Sequence, residues 1–391
     1  MKTAIWLYLF TFVAIFDLHA QYPILTPFAL SLGAAPSFIG LIMGAYSLTH
    51  IPGNLLAGYG IDRYGSRIFI SASLLGAGAL LLYQSQITDP YQLLAVRSIS
   101  GFALAFLSPA SLSLLAKIAK DKLQQGKFMA GNGLVHTFAS VASPAAGAYL
   151  VAKVGFTTAF TVLGWGLIMS GLFAFIWIRD ARRPVELSMP PVQFAGSSTS
   201  RSGLNMRNQP SFPWQIFFIP LALSFSQGIL YFELPLMEAS RQSVISSGIL
   251  FSMVSFGSLL TLSMFFLNRL SSFVRTAAGS LAMAITFFGM AVDWPLPFSL
   301  SLFMLGMTMG LIFPALSTLL ANLTDSSRYG RVFAYLSITY SIGAFFGPIF
   351  AGQMRDHASI SPYYIAFLAL MAALAVVPAG RIPKILTSRT G

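Results

Sequence analysis

Gly58-Tyr59-Gly60-Ile61-Asp62-Arg63-Tyr64-Gly65-Ser66-Arg67 is a charged, glycine-punctuated turn between two long apolar segments. Its surroundings narrow its use. Of 391 residues, 56% are hydrophobic and 9% are charged, and the mean hydropathy is +0.75. A soluble domain carries about 25% charged residues, and a soluble core could not absorb this much apolar surface. In a chain that crosses a bilayer repeatedly, each residue type of the turn has a physical task. Gly58 allows two helices to approach closely, and Gly65 frees the backbone for a sharp reversal. Asp62 is an anion suited to the positive N-terminal end of a neighbouring helix. Arg63 and Arg67 hold the loop on the cytoplasmic side.

Outward from this turn, twelve apolar stretches have about the 20 residues that a helix needs to span hydrocarbon. They lie near 5–30, 37–60, 68–87, 91–116, 128–151, 157–178, 214–236, 244–267, 276–293, 298–322, 332–353 and 361–380. With the N-terminus inside, the inner segments hold 19 of the 23 basic residues, including the run Lys117, Lys120, Lys122 and Lys127. The outer loops hold three, Lys153, Arg241 and Arg355, and Arg97 is left within a span. This bias supports both the span count and an orientation with both termini cytoplasmic in the cell membrane. It also accounts for the net charge of +12 without nucleic acid as a partner. Asp17, His19 and Gln21 interrupt the first span where a secretory signal would be apolar, so that span is read as a helix of the mature protein.

Residues 179–213 are polar and rich in Ser, Gly and Arg, and read as a cytoplasmic linker. They divide the chain into a six-span bundle at 1–178 and another at 214–391. The halves resemble each other at an offset of about 205: Pro109-Ala110 through Leu115-Ala116 recurs as Pro314-Ala315 through Leu320-Ala321, and Gly126-Lys127 recurs as Gly330-Arg331. The turn at 58–67 is worn down in the second half to Asn268, Arg269 and Arg275. Paired repeats of this kind are a device of alternating-access transporters.

The turn resembles the G-x-x-x-D-R-x-G-x-[RK] signature of the major facilitator superfamily, with every fixed position matched and Ser66 where a basic residue is usual. The resemblance covers the whole chain. It implies an all-α membrane protein of twelve helices in two pseudo-symmetric six-helix bundles, and conformational gating by Gly58, Asp62, Arg63, Gly65 and Arg67. It places Asp62 against the start of the eleventh helix, near Arg331, when the cytoplasmic side is closed. Ser143-Pro144-Ala-Ala-Gly147 in span five and Gly343-x-x-x-Gly347-Pro348 in span eleven are similar to the proline–glycine element of exporters in that family. Their physical sense is a kinked helix with small faces for close packing. Arg97-x-x-x-Gly101 is similar to an element of its proton-coupled antiporters, with Ser100 in place of the usual glutamine.

Polar groups inside the spans are expensive in hydrocarbon and are functional candidates for that reason. Asp17 and Arg97 are the proton-coupling candidates: a buried acid and a buried arginine let ligand binding compete with protonation. Gln21, one turn beyond Asp17, shares its face; His19 does not. Tyr46, His50, Asn132, His136, Gln227, Tyr231 and Glu233 join Gln21 as substrate-cavity candidates.

The expected function is proton-coupled export of a small amphiphilic organic molecule by a monomer. The aromatic fraction of 14%, with 35 Phe, is consistent with an adaptable apolar pocket. One alternative is a zwitterionic amino-carboxylate such as an opine-type metallophore, and another is lipid flipping. No cofactor, no metal site and no enzymatic activity are expected: the chain has no cysteine, the intramembrane histidines form no i, i+4 pair, and no nucleophile–base constellation is present.

Overall fold

The computed structural model describes residues 2–178, 180, 213–240, 244–324, 329–357 and 360–377, and is helical nearly throughout. The first span is two helices meeting at Gln21, α1 (Lys2–Ala20) and α2 (Tyr22–Ser31). Then come α3 (Pro36–Tyr64), α4 (Ser66–Gln84), and a fourth span bent between α5 (Pro90–Leu104) and α6 (Leu107–Ile118). Spans five and six form α7 (Lys122–Trp177), which is broken at Gly155, where φ is 78°. The second half comprises α8 (Phe218–Ser240), α9 (Val244–Ser263), α10 (Ser272–Ala291), α11 (Phe298–Asn322), α12 (Tyr329–His357) and α13 (Tyr363–Val376). Twelve spans in two bundles therefore match the expected fold. Span eight differs: α9 stops at Ser263 and a short 3-10 turn, Phe265–Arg269, follows. All of the 179–213 linker except Asp180 and Pro213 lies outside the described residues.

Local chemistry starts these helices. Pro36 and Pro90 occupy the first helical turn of α3 and α5, where a missing N–H costs nothing. The Asp89 carboxylate accepts from the Tyr91 N–H at 2.7 Å, and the Asp121 carboxylate from the Gln124 N–H at 2.7 Å. Both cap a helix start, an arrangement worth about 1 kcal/mol.

Gly65 alone links α3 to α4, with φ at 89°, a backbone state open to glycine at little cost. Its missing Cβ also leaves room for Asp180. The Asp180 carboxylate accepts from the Ser66 and Arg67 N–H groups at 2.9 and 3.1 Å, capping α4 from the far end of the bundle's last helix. The Arg67 guanidinium donates to the Phe175 carbonyl and lies 4.6 Å from the Phe175 ring centroid. The turn is thus anchored on the end of α7. The Asp62 side chain lies outside the described residues. Gly58 differs from its expectation: nothing comes within 4 Å of the place its Cβ would take. The close helix approach expected there is absent.

The close approaches between the bundles lie at the opposite end of the molecule. Gly40 and Gly44 of α3 meet the backbone at Pro348 and Phe345 of α12, and Gly352 meets Pro36. Gly248 of α9 meets Pro144 and Ala148 of α7. The Tyr22 and Tyr231 rings stack at 4.6 Å between α2 and α8. With no hydrophobic drive between helices in lipid, small residues that bring backbones together are what bind them. The prolines of the two proline–glycine elements belong to this seam, Pro144 against Gly248 and Pro348 against Gly40, while their glycines pack within each bundle. Gly147 packs on Ala20, with Cβ space of only 2.6 Å. Gly343 and Gly347 face Ser224, Phe225 and Gly228 of α8, while Pro348 fills the space between Gly228 and Gly40.

A polar contact also closes the seam: the Ser37 N–H, in the first turn of α3, donates to the Asp356 carboxylate at the end of α12 at 3.1 Å. In this cysteine-free chain, Ser37→Cys with Asp356→Cys, joined by a short bis-methanethiosulfonate, should arrest flux in vesicles, and a reductant should restore it. Undiminished flux in the cross-linked protein would mean that this seam does not open during transport.

Candidate functional site

The junction of α1 and α2 places Gln21 where two helices can use it. Its side-chain amide N–H donates to Asp17 Oδ2 at 2.9 Å, one turn back. Its amide oxygen accepts from Arg97 Nη1 of α5, also at 2.9 Å. Asp17, Gln21 and Arg97 are 2%, 3% and 5% exposed, so the three form a buried relay from acid to amide to guanidinium. Asp17 and Arg97 do not touch directly; the amide stands between them and gives each one hydrogen bond. The Arg97 guanidinium also lies 4.7 Å from the centroid of the Tyr46 ring on α3, a desolvated cation–π contact worth about 2 kcal/mol. Gly101 makes this possible. It lets α5 close on the Tyr46 carbonyl and the Thr49 hydroxyl, and Thr49 then donates to the Ser98 carbonyl at 2.6 Å. Asp17 Oδ1 and Arg97 Nε keep no partner.

Beside this relay is a cavity of about 180 Å³ within the first bundle. Thr11, Ala14, Ile15 and Leu18 of α1 form one wall, Tyr46 and His50 of α3 the next. Leu104, Leu107, Ser108 and Ser111 surround the bend of the fourth span, and Asn132 and His136 of α7 complete it. His50 shares a 2.8 Å hydrogen bond with the Asn54 amide. Among the described residues no group of three His, Cys, Asp or Glu could hold a metal ion.

Four of the eight cavity candidates, Tyr46, His50, Asn132 and His136, therefore come together. Gln21 does not line the cavity; it is occupied between Asp17 and Arg97. Gln227 of α8 is half-buried and also lies outside the wall. Tyr231 is committed to stacking on Tyr22 and packs edge-on to Phe251 at 5.6 Å. Glu233 requires a correction. It lies at 1% exposure in an ion pair with Arg355 of α12, through Nη2 at 2.6 Å and Nε at 3.1 Å to both oxygens. A carboxylate that deep in a protein needs a cation, and the partner is 122 residues away in sequence. The sequence reading also missed His19: its Nδ1–H donates to the Ile15 carbonyl of its own helix at 2.9 Å and its ring meets the His136 ring edge-on at 5.8 Å.

Compared with known proteins, the Major Facilitator Superfamily profile matches residues 7–292 and 276–385. The chain belongs to the Major Facilitator Superfamily. Like its family, it is a transporter and not an enzyme. It is 20% identical to the multi-drug resistance efflux pump PmrA of Streptococcus pneumoniae, over 86% of each chain. It is 23% identical to the multidrug resistance protein MdtG of Klebsiella pneumoniae, over 75% of this chain and 71% of that one. A further superfamily relative, the MFS-type transporter MJ1560 of Methanocaldococcus jannaschii, is 26% identical over 46% of each chain. Two solved superfamily structures share the fold. One is a bacterial homolog of the human lysosomal transporter Spinster, inward-facing and unoccupied, with TM-score 0.74, 14% identity and coverage of 99% and 98%. The other is a D-xylose–proton symporter, with TM-score 0.73, 14% identity and coverage of 96% and 97%.

The Glu233–Arg355 pair gives a stability prediction. Arg355→Ala should lower the apparent melting temperature of the solubilised protein by the equivalent of about 3 kcal/mol. That is the low end for breaking a buried pair, because the Arg355 side chain is 40% exposed. Adding Glu233→Gln to Arg355→Ala should recover part of the loss by removing the stranded charge. Equal melting temperatures for the wild type and Arg355→Ala would contradict the pairing.

Proposed function

We propose that this transporter exports small amphiphilic organic molecules from the cytoplasm across the cell membrane in exchange for protons, as a monomer. The observation that carries the reading is the buried relay of Asp17, Gln21 and Arg97 beside the cavity. An acid at membrane depth that is held through an amide can lose or gain a proton without leaving a bare charge, because the same amide can rotate its hydrogen bonds. The relatives described as multidrug efflux proteins support the direction of transport at low identity.

The seam of close packing closes one end of the molecule and leaves Gly58 open at the other, next to the 58–67 turn. With the basic residues inside, this is an inward-open state. Substrate enters from the cytoplasm, the seam at Ser37 and Asp356 opens, and the turn docks on α12. Gly58, Asp62, Arg63, Gly65 and Arg67 are its gating residues, and Pro144, Gly147, Gly343, Gly347 and Pro348 set the packed helix faces. A zwitterionic amino-carboxylate would need fixed charges of both signs on the cavity wall, and the wall carries neither an Asp or Glu nor a Lys or Arg. The amphiphile is therefore favoured.

Two variants test the coupling in reconstituted vesicles at matched protein levels. Asp17→Asn should abolish pH-gradient-driven flux and retain substrate counterflow, which needs no net proton movement. Full pH-driven flux in that variant would remove Asp17 from coupling. Arg97→Lys keeps the charge but loses the planar fork that reaches Gln21 while lying on Tyr46, and should reduce flux by about tenfold or more, the equivalent of one charge-assisted hydrogen bond. Near-normal flux would mean that a positive charge alone suffices.

A further inference from the structure

The cavity wall contains hydrogen-bonding atoms that the protein itself leaves unused. Thr11 is 8% exposed and Ser111 is 2% exposed, yet neither hydroxyl has a hydrogen-bond partner. The Asn132 side-chain oxygen, contributed by α7, has none either. Each such atom left unpaired costs on the order of 1–3 kcal/mol. Other serines and threonines of the spans avoid that cost by bonding back to their own helix, as Ser85, Ser98 and Ser170 do, while Ser66, Ser71, Ser143, Ser247, Ser252, Ser280 and Thr324 also lack a partner but lie away from this cavity. Thr11, Ser111 and Asn132 differ from those in lining one cavity of about 180 Å³, where something other than the chain can satisfy them. His50 and His136 add ring nitrogens to the same wall.

The wall is also free of fixed charge. Asp17 and Arg97 are tied up through Gln21, and Arg97 lies against the Tyr46 ring. Ser108 adds one more hydroxyl, and the rest of the wall, Ala14, Ile15, Leu18, Leu104 and Leu107, is apolar.

On the export reading above, we infer that this cavity is the subsite for an uncharged, hydrogen-bonding headgroup, of the hydroxyl or carboxamide class, and that Thr11, Ser111 and Asn132 are its specificity-determining residues. Two hydroxyls can donate or accept, and an amide oxygen accepts from a ligand N–H or O–H. A permanent cation would find no carboxylate on this wall, and burying its charge there uncompensated is unfavourable. The proton-coupling relay then sits beside the bound headgroup without being part of its binding wall.

The test uses the solubilised full-length protein and equilibrium binding by isothermal calorimetry. The probes are chloramphenicol and thiamphenicol, neutral molecules with hydroxyl and amide groups, and tetraphenylphosphonium, a permanent cation. Thr11→Val with Ser111→Ala removes both hydroxyl oxygens at nearly constant volume; Ser111→Ala alone serves if the double variant does not fold. Ser263→Ala, an exposed serine bonded within α9, is the control. The neutral probes should bind, and bind about tenfold more weakly to the double variant, with a smaller loss in the single one; tetraphenylphosphonium affinity should be unaffected by either. Absence of neutral-probe binding to the wild type, an affinity unchanged in the variants, or a cation affinity that falls with the hydroxyls would each overturn the assignment. Flux of the same probes is measured in parallel. Hydroxyl-dependent binding without pH-driven flux would leave the subsite standing and reject the export reading; flux with hydroxyl-independent binding would do the reverse.

Discussion

A guanidinium at membrane depth has no water to solvate it, so the protein must supply its hydrogen bonds and its counter-charge. Arg97 obtains a hydrogen bond from the Gln21 amide at the junction of α1 and α2 and a cation–π contact from the Tyr46 ring on α3, with the Asp17 carboxylate as the counter-charge beyond the amide. This requirement constrains much of the first bundle. The close approach of α5 to α3 depends on Gly101 having no side chain, and the first span is broken at the residue whose amide does the bridging. Asp17 accepts a hydrogen bond from the same amide through Oδ2. The cost of burying an intramembrane charge without partners, several kcal/mol or more, is large against any single packing contact, and the helix geometry around Arg97 follows from avoiding it.

The second bundle meets the same problem differently. Its buried acid, Glu233, has a direct bidentate partner in Arg355, and the adjacent Asp356 reaches across to the start of α3. The end of α12 therefore carries one charge that ties it to its own bundle and one that ties it to the other. Around these contacts the glycines at 40, 44, 248 and 352 let backbone meet backbone. Two kinds of interaction thus hold the closed end. The polar cap is weak and reversible, and the glycine contacts are broad and apolar, which suits a seam that separates without leaving bare charges in lipid.

The twelve spans were legible in the sequence because hydrocarbon thickness imposes their length, and the turn at 58–67 because charge is rare in such a chain and is concentrated there between two spans. The Gln21–Asp17 contact was legible too, since four residues on a helix always share a face. Contacts between helices were not. Glu233 reads as a cavity residue until Arg355 is seen beside it, His19 as irrelevant until the packing of α1 on α7 brings it to His136, and nothing in residue order announces that Asp180 caps α4. These pairings depend on how the bundle closes, and local periodicity carries no information about that. The orphaned hydroxyls of Thr11 and Ser111 were likewise unreadable, because serines and threonines in spans ordinarily bond to their own helix.

The central claim is that Gln21 links the acid to the arginine and thereby couples protons to transport. Gln21→Leu keeps the side chain's bulk and removes both hydrogen bonds, while leaving Asp17 and Arg97 in place. Parallel measurement of pH-gradient-driven flux and substrate counterflow in vesicles tests it directly. The account predicts that counterflow persists while pH-driven flux is lost. Intact pH-driven flux in the leucine variant would contradict it.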